Sequence, residues 1–456
     1  MATPTAGLPP GPPLPKALQT LGFLSGEPRF LEACRRRYGD VVHFRTLFDP
    51  GFVMVFDPAI VRDVFRAPPS QLRAGEANAP LSMVLGPRSV LVLDGAEHLR
   101  HRKLMLPPFH GQALTAHAEV MRAAADRAID AWPVGREFAL LPHMYVLTLD
   151  VIATAVFGIE EHARREELKR RIRAFLEPMG SLFRVIVLLL TRGRVRDEDS
   201  ARRFEERRAA VDELILEEIE LRRREPDLEE RGDALSLLLL ARDEEGVGLS
   251  DAEVRDELVT LLVAGHETTA AGLAWTLDLV HRHPAVLERA RAAVAGGDDA
   301  YLDAIVRESL RLRPVVPGIG RVVREEPFVA GGYEIPPGME INPSIRTMHR
   351  RAELFPRPGE FRPERFLGED APDTYTWIPF GGGTRRCLGA SFALLEMRVV
   401  LARVLERAEL RPVGRRQEKV RRRGVTMVPR QGARVLQPRP PRTTGAERPP
   451  RVTVAA

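Results

Sequence analysis

The sequence has few cysteines and no long apolar segment near its start. Cys34 and Cys387 are its only cysteines, which is too few for a disulfide framework. The opening residues, MATPTAGLPPGPPLPK, lack the apolar core of a signal peptide and hold too many prolines for a helix. Apolar runs such as 185–190 and 237–241 are far shorter than the roughly 20 residues that cross a bilayer. These absences predict a cytoplasmic protein without a membrane anchor, in which Cys34 is a structural thiol.

The chain also carries almost no excess of charge of either sign. The formal net charge is +5, from 68 basic and 63 acidic residues. Arginine and glutamate alternate through residues 201–230, which is typical of a solvated helix face, so no nucleic-acid site is predicted. No internal repeat or mid-chain linker interrupts the chain. We therefore expect one large unit at residues 21–436, after a proline-rich segment at 1–20 and before a disordered basic tail at 437–456.

The apolar periodicity indicates a mainly α-helical fold with a minor antiparallel β region. Residues 58–313 show mostly the helical period, broken at glycines and prolines. Two short apolar runs flank the turn Asp49-Pro50-Gly51 and predict a hairpin. Further strand-like pieces occur in PFVAGGYEI and within residues 420–436.

Cys387 stands in a glycine-rich segment, FGGGTRRCLG at residues 380–389, which we call the cysteine loop. Arginines precede the cysteine and a helix-like run follows, and both features favour a thiolate. Zinc normally needs about four ligands, and no paired cysteines or histidines surround Cys387. Haem needs only an axial ligand from the protein, because the porphyrin supplies the rest. The competing interpretation is a buried structural thiol.

The cysteine loop resembles the haem-binding motif F-x-x-G-x-R-x-C-x-G of the cytochrome P-450 superfamily at every fixed position. The resemblance extends over about residues 10–429 and implies the cytochrome P-450 fold of a soluble, bacterial-type haem-thiolate monooxygenase. It implies haem b (iron protoporphyrin IX) as the cofactor, with Cys387 as the metal ligand. The cofactor-binding positions that it implies in the loop are Phe380, Gly383, Arg385, Cys387 and Gly389.

A helix of about 30 residues is predicted from Ser250, where Glu253 completes a capping box, to Pro284. Its middle, AGHETTA at residues 264–270, combines a glycine with threonines that can bond back to the helix. This segment alone favours a kink with a solvated glutamate.

In a chain that also contains the cysteine loop, the same segment is similar to the distal-helix motif of the superfamily. The resemblance implies that Ala264 and Gly265 border the haem. It also implies that Glu267 and Thr268 are catalytic, because O–O cleavage in a dry site needs two delivered protons.

Glu308 and Arg311 stand three residues apart on a predicted helix, a spacing that is common on surfaces. Followed by the sequence PERF, they resemble the superfamily's internal ion-pair triad, which implies Glu308, Arg311 and Arg365 as structural residues. Two departures from the family pattern lie outside the proposed reaction centre. Arg351 replaces an aspartate that is frequent there, and the segment 294–301 is short.

Further positions follow from the same resemblance. His98 and Arg102, four apart on one helical face, and Arg321 match residues that bind the haem propionates, the alternative for each being a solvated basic residue. The substrate pocket that it implies is apolar and has no clamp for a charged group, which favours a fatty acid, a terpenoid or a steroid-like compound. Its residues are Leu81, Met83, Leu85, Leu182, Phe183, Val263, Val316, Ile319 and Val425.

The function implied is insertion of one atom of O2 into a lipophilic substrate by a monomer. Only about 69 residues follow Cys387, so electrons are expected from a separate ferredoxin or flavodoxin and its reductase. A basic docking surface for that partner is predicted at Arg100, Lys103, Arg385 and Arg386. Two alternatives stay open: a peroxygenase or isomerase, against which the acid–threonine pair argues, and a non-catalytic haem-binding sensor.

Overall fold

The structure is a computed structural model that describes residues 7–24, 28–47, 51–109, 111–159, 161–176 and 198–443. Within these ranges most of the chain is helical. The helices are α1 Lys16–Leu24, α2 Pro28–Tyr38, α3 Pro58–Arg66, α4 Ala74–Ala77, α5 Ser82–Leu85, α6 Gly95–Met105, α7 Gly111–Asp130, α8 Leu140–Phe157, α9 His162–Leu176, α10 Glu198–Arg224, α11 Ala234–Leu240, α12 Asp251–Arg282, α13 Pro284–Gly296, α14 Asp299–Leu312, α15 Ile345–Met348 and α16 Ala390–Arg407. Short 3-10 turns are Ala79–Leu81, Pro107–Phe109, Leu228–Glu230, Pro363–Phe366 and Gly383–Arg385.

Small sheets complete the fold. Their strands are β1 Val41–Phe44, β2 Phe52–Val55, β3 Leu72–Arg73, β4 Glu137–Ala139, β5 Arg321–Val323, β6 Phe328–Ala330, β7 Tyr333–Ile335, β8 Glu340–Pro343, β9 Arg411–Pro412, β10 Val420–Arg423, β11 Thr426–Pro429 and β12 Arg434–Leu436. The largest sheet has the order β1-β2-β8-β5-β3, and the others are β4-β12-β9, β6-β7 and β10-β11.

The predicted mainly helical fold with a minor antiparallel region is confirmed. The hairpin β1-β2 and the strands within PFVAGGYEI pair antiparallel, as expected. In the described ranges one pairing departs from this pattern, because β8 runs parallel to β2. A tight turn forces antiparallel pairing, whereas β8 arrives from a distant part of the chain and no turn sets its direction.

Helix α12 forms the centre of the molecule. It is 32 residues long, about 48 Å at 1.5 Å per residue, and most of its side chains are buried. Ser250 and Glu253 form the predicted capping box at its start, and Pro284 begins α13 directly after its end. The helix packs along α8 and also contacts α14 and α16. Its length and burial allow one element to connect opposite ends of the core.

Helix α8 is long and apolar enough to span a membrane by length and composition, with 72% of the segment buried inside the protein. The sequence analysis considered only shorter apolar runs and overlooked this one, because His143 and Asp150 interrupt it. Asp150 is paired with Lys169 at 2.7 Å. The helix packs against α12 and α7, as a core helix does.

The chain also stays packed beyond residue 436. Gln437 is fully buried, and its carbonyl oxygen accepts a hydrogen bond of 2.8 Å from the backbone N–H of Gly135. The backbone N–H of Arg442 donates to Arg407 O at 2.8 Å. The predicted tail therefore begins later than residue 437, and residues 444–456 lie outside the described ranges.

Glu308, Arg311 and Arg365 come together as an internal ion-pair cluster. Arg311 Nε donates to Glu308 Oε2 at 2.6 Å, and Arg365 Nε lies 3.4 Å from Glu308 Oε1. Both members of the first pair are fully buried. Arg311 also donates to three backbone carbonyls, so its remaining N–H groups are satisfied. Arg351 likewise finds a partner, Asp40 at 3.0 Å.

Glu308→Gln should destabilise the folded protein by about 3 kcal/mol, because two arginines lose the carboxylate that compensates their burial. Glu360→Gln is the matched control, since its pair with Arg357 is largely exposed and its loss should cost less than about 1 kcal/mol. Equilibrium unfolding in guanidinium measures both. Equal unfolding midpoints for the two variants would contradict a structural role for the cluster.

Candidate active site

The cysteine loop is held in a compact turn between the core and α16. The backbone N–H of Cys387 donates to Phe380 O at 2.9 Å. Gly383 has a φ of +64°, and a Cβ atom there would clash with the carbonyl oxygen of Phe65. Gly383 is thus required for the approach of the loop to α3, and its role as a cofactor-binding glycine stays a prediction. Gly389 differs, because nothing lies within 4 Å of its added Cβ.

The protonation of Cys387 differs from the sequence prediction. Its side chain is accessible. Desolvation by the surrounding protein atoms nevertheless raises the pKa of its thiol above the ordinary 9.0. The backbone N–H of Gly389 and the charges of Arg102 and Arg386 oppose this shift only in part. The predicted positive neighbours and backbone donor favour the thiolate, but desolvation outweighs them in the protein without its cofactor. A thiol in this setting loses its proton when it binds a metal cation.

A cluster of basic side chains lies beside the cysteine. His98 is 2% exposed, and its Nδ1 has no hydrogen-bond partner among the described residues. Burial, followed by the charges of Arg385, Arg102 and Arg321, lowers the pKa of His98 to about 3, so the ring is neutral. Burial also lowers the pKa values of Arg321 and Arg385 to about 10. Arg385 pairs with Asp94, which the sequence analysis did not single out.

The charge of this cluster fits an anionic cofactor. The cluster keeps a net positive charge, since its three arginines face only Asp94 and Glu340 and His98 is neutral. No described carboxylate pairs with Arg102 or Arg321. Two propionates would supply the missing negative charge, and the unpartnered Nδ1 of His98 could take a further hydrogen bond. The donor set of one thiol and two arginines without an ion-pair partner therefore fits an iron porphyrin. The described chain shows no group of three His, Cys, Asp or Glu residues that could hold a metal ion instead.

The middle of α12 presents an accessible face in an otherwise buried helix. Ala264 is exposed and Thr268 is half-buried. The hydroxyl of Thr268 donates to Ala264 O at 2.6 Å, the back-bond that two threonines in a helix allow. Gly265 does not share this face, because its added Cβ would lie 3.1 Å from Ile152 of α8. Gly265 therefore serves helix packing, and its role as a cofactor contact stays a prediction.

Glu267 points toward the β10-β11 hairpin. Its Oε1 lies 3.1 Å from Arg423 Nε, and Arg423 stacks over the ring of Tyr145 at 4.9 Å. Neither of the two paired atoms makes an aligned hydrogen bond within the described chain. Burial raises the pKa of Glu267, and the charge of Arg423, followed by Thr426 and Tyr145, lowers it only in part. Glu267 is therefore an acid that holds its proton more readily than an exposed glutamate.

The sequence analysis missed Arg423 and Tyr145 as partners of Glu267. The run VRRRGV at residues 420–425 was read only as a basic strand region, and Tyr145 belongs to the overlooked helix α8. Successive side chains alternate between the two faces of β10, so its three arginines do not all point the same way. The alternation does not identify which of them contacts Glu267.

The predicted substrate residues differ in burial. Leu85 is 2% exposed and packs in the core, and its role as a lining residue stays a prediction. Met83 and Val425 are exposed, at 50% and 54%. Leu182 and Phe183 lie outside the described residues. The half-buried members are Leu81, Val263, Val316 and Ile319.

The predicted docking surface consisted of Arg100, Lys103, Arg385 and Arg386. Arg100 pairs with Asp243 at 2.7 Å, and Lys103 pairs with Glu244 at 2.8 Å. Arg385 donates to the carbonyl oxygen of Val90 and pairs with Asp94, so it points inward. The prediction is wrong as stated, because nearby acids neutralise two of its cations and a third is turned away from solvent.

Comparisons with known proteins agree with this geometry. The family pattern described as Cytochrome P450 matches residues 9–436. Cytochrome P450 135B1 of Mycobacterium tuberculosis is 43% identical over 447 residues, covering 95% of this chain and 92% of that protein. Cytochrome P450 137 of the same organism is 40% identical and covers 94% and 91%.

Solved structures show the same fold. A cyanobacterial CYP120A1 with retinoic acid bound has a TM-score of 0.80 and 26% identity, covering 95% of this chain and 99% of that one. The cytochrome P450DA heme domain has a TM-score of 0.80 and 26% identity, covering 96% and 99%. The chain therefore belongs to the cytochrome P450 family and is a haem-thiolate monooxygenase.

Proposed function

We propose that this monooxygenase binds haem b through Cys387 and hydroxylates a lipophilic carboxylic acid. The observation that carries the proposal is the thiol of Cys387 beside Arg102 and Arg321, neither of which forms an ion pair with a described carboxylate. Arg102 and Arg321 would hold the propionates, with His98 Nδ1 as a further polar contact and Phe380 beside the sulfur. When bound, the haem activates O2, of which one atom enters the substrate and the other leaves as water.

Protons reach the reaction through α12. Thr268 presents its hydroxyl on the accessible face, where it can donate a proton and regain one. Glu267, the next residue toward the N-terminus, takes up a proton more readily than an exposed glutamate because burial raises its pKa. Because its pair with Arg423 is not an aligned hydrogen bond, Glu267 could exchange that partner for Thr268. The two residues thus supply protons where bulk water is scarce.

The substrate is proposed from the walls of the site. Val263, Val316 and Ile319 are apolar and half-buried, which favours an aliphatic or terpenoid body over a polar one. Arg423 adds a cation close to Val425, and its pair with Glu267 at 3.1 Å lacks an aligned hydrogen bond, so a substrate carboxylate could take the place of Glu267 there. A carboxylate is therefore the polar group that this site would accept. The solved relative that has retinoic acid bound, a lipophilic acid, supports the same class.

Electrons would come from a separate ferredoxin or flavodoxin with its reductase. The support is that membership of the cytochrome P450 family implies electron-transfer partners in general. We place the enzyme in the cytoplasm as a monomer. Cys34 supports a reducing compartment, because it is a buried free thiol whose pKa burial raises to about 11.

Thr268→Ala should lower the product formed per O2 consumed about tenfold, while O2 consumption continues, because proton delivery to the distal oxygen is lost. Oxygen uptake and product, measured together with a reconstituted reductase system, give this ratio. Thr269→Ala is the matched control, since Thr269 is buried and off the accessible face. An unchanged ratio in Thr268→Ala would contradict the assigned role.

Arg423→Gln should remove a preference for acids. Titrations of the ferric spin-state change should show that a long-chain fatty acid binds the wild type about tenfold more tightly than its methyl ester, a difference of about 1.4 kcal/mol. In Arg423→Gln the two affinities should become equal. Arg422→Gln is the matched control, because Arg422 faces Phe23 instead. Equal affinity for acid and ester in the wild type would contradict the proposed substrate class.

A further inference from the structure

Three titratable side chains join α6 to α12 outside the site described above. His101 is fully buried, and its Nδ1 lies 2.7 Å from Glu257 Oε1. Its other ring nitrogen, Nε2, lies 3.1 Å from Glu253 Oε1. Glu257 is also fully buried, and its Oε2 has no hydrogen-bond partner in the described chain. We call Glu253, His101 and Glu257 the α6 clasp.

The α6 clasp lies close to the basic cluster. His101 directly precedes Arg102 and follows His98 by three residues, so one turn of α6 carries all three. A displacement of this turn relative to α12 would move His98 and Arg102 together. The two hydrogen bonds of His101 to α12 oppose such a displacement.

The segment that leads into α6 is anchored to the same part of α12. Glu257 Oε1 accepts a hydrogen bond of 2.8 Å from the backbone N–H of Val90. The hydroxyl of Thr260 donates to Ser89 Oγ at 2.7 Å. Arg385 of the cysteine loop donates to Val90 O on the opposite side, at 3.1 Å. Glu257 thus connects the entry of α6 with its first turns.

The outer end of the α6 clasp reaches solvent. Glu253 is 18% exposed and lines a surface cavity of about 490 Å³ together with Arg100, Arg223 and Arg242. Its Oε2 also accepts from Ser250 at the start of α12. A proton taken up at Glu253 can pass through the two nitrogens of His101 to Glu257, because an imidazole can accept on one nitrogen and donate from the other.

We propose that the α6 clasp is a proton-holding contact that positions α6, so that His98 and Arg102 grip the haem propionates firmly when Glu257 is protonated and less firmly when it is ionised. Glu257 and His101 are therefore positioning residues. The inference rests on the proposed propionate-binding role of His98 and Arg102. The other charged or titratable groups facing the clasp are Arg100, Asp243, Arg255, Asp256 and His98.

The direction of the pH effect follows from the titration of Glu257 and His101. Burial raises the pKa of Glu257 from 4.5 to about 7, although His101 opposes the shift. Burial by itself would lower the pKa of His101, but Glu257 and Glu253 raise it above 6.5. Both groups bind protons more tightly in the folded state. The stabilisation that these two groups give the folded protein is complete below their ordinary pKa values. It is lost as the pH rises through their pKa values in the folded protein. The grip on haem should weaken above neutral pH.

Transfer of haem from the holoprotein to excess apomyoglobin tests this from about pH 6 to about pH 9. The wild-type transfer rate should rise at least about threefold across this range, since Glu257 ionises within it. Glu257→Gln keeps a neutral group with the same shape, so its rate should stay at the slow low-pH value throughout. Lys103→Gln on α6 is the matched control and should follow the wild type, because its pair with Glu244 is exposed.

Identical pH profiles for the wild type and Glu257→Gln would overturn the proposal. The pH dependence of thermal unfolding of the apoprotein gives a second readout. If Glu257→Gln flattens that dependence but leaves haem transfer unchanged, the clasp exists without positioning the haem-binding turn, and the proposal fails. A wild type that binds no haem at all would instead overturn the proposed function on which the inference rests.

Discussion

Buried arginines without an ion-pair partner, beside the thiol of Cys387, constrain the rest of this structure. Arg321 is 6% exposed, and neither it nor Arg102 has a described carboxylate partner. Buried guanidinium groups are costly unless an anion pairs with them. Desolvation likewise raises the pKa of the Cys387 thiol, so this thiol needs a positively charged partner in order to ionise. A cofactor that brings a metal cation and two carboxylates answers both needs at once.

Helix α12 connects this basic cluster with the rest of the core. Its first turns hold α6 through Glu257, its middle exposes Ala264 and Thr268, and its last part packs on α16, where a Cβ on Gly272 would lie 3.1 Å from Met397. Polar groups in a central helix weaken packing unless they are paired. Here the buried acid has a histidine partner, and the polar residues in the middle face accessible space. One element thus links cofactor grip, proton supply and core packing.

Local spacing made part of this predictable from the sequence. The capping box at Ser250, the cluster around Glu308 and the position of Cys387 depend on residues a few positions apart or on one family motif. The remainder depends on partners far along the chain. Arg423 lies 156 residues from Glu267, and Asp243 lies 143 residues from Arg100. Neither partner can be identified from periodicity, and a thiol's pKa depends on burial that only the fold defines.

The most direct test of the central claim is the absorption spectrum of the reduced, CO-treated protein, compared with that of Cys387→Ser. The wild type should show the long-wavelength Soret band of a thiolate-ligated haem, and Cys34→Ser should keep it, because Cys34 is buried away from the site in another cluster. Cys387→Ser should lose the band. Absence of the band from the wild type, or its persistence in Cys387→Ser, would contradict the account.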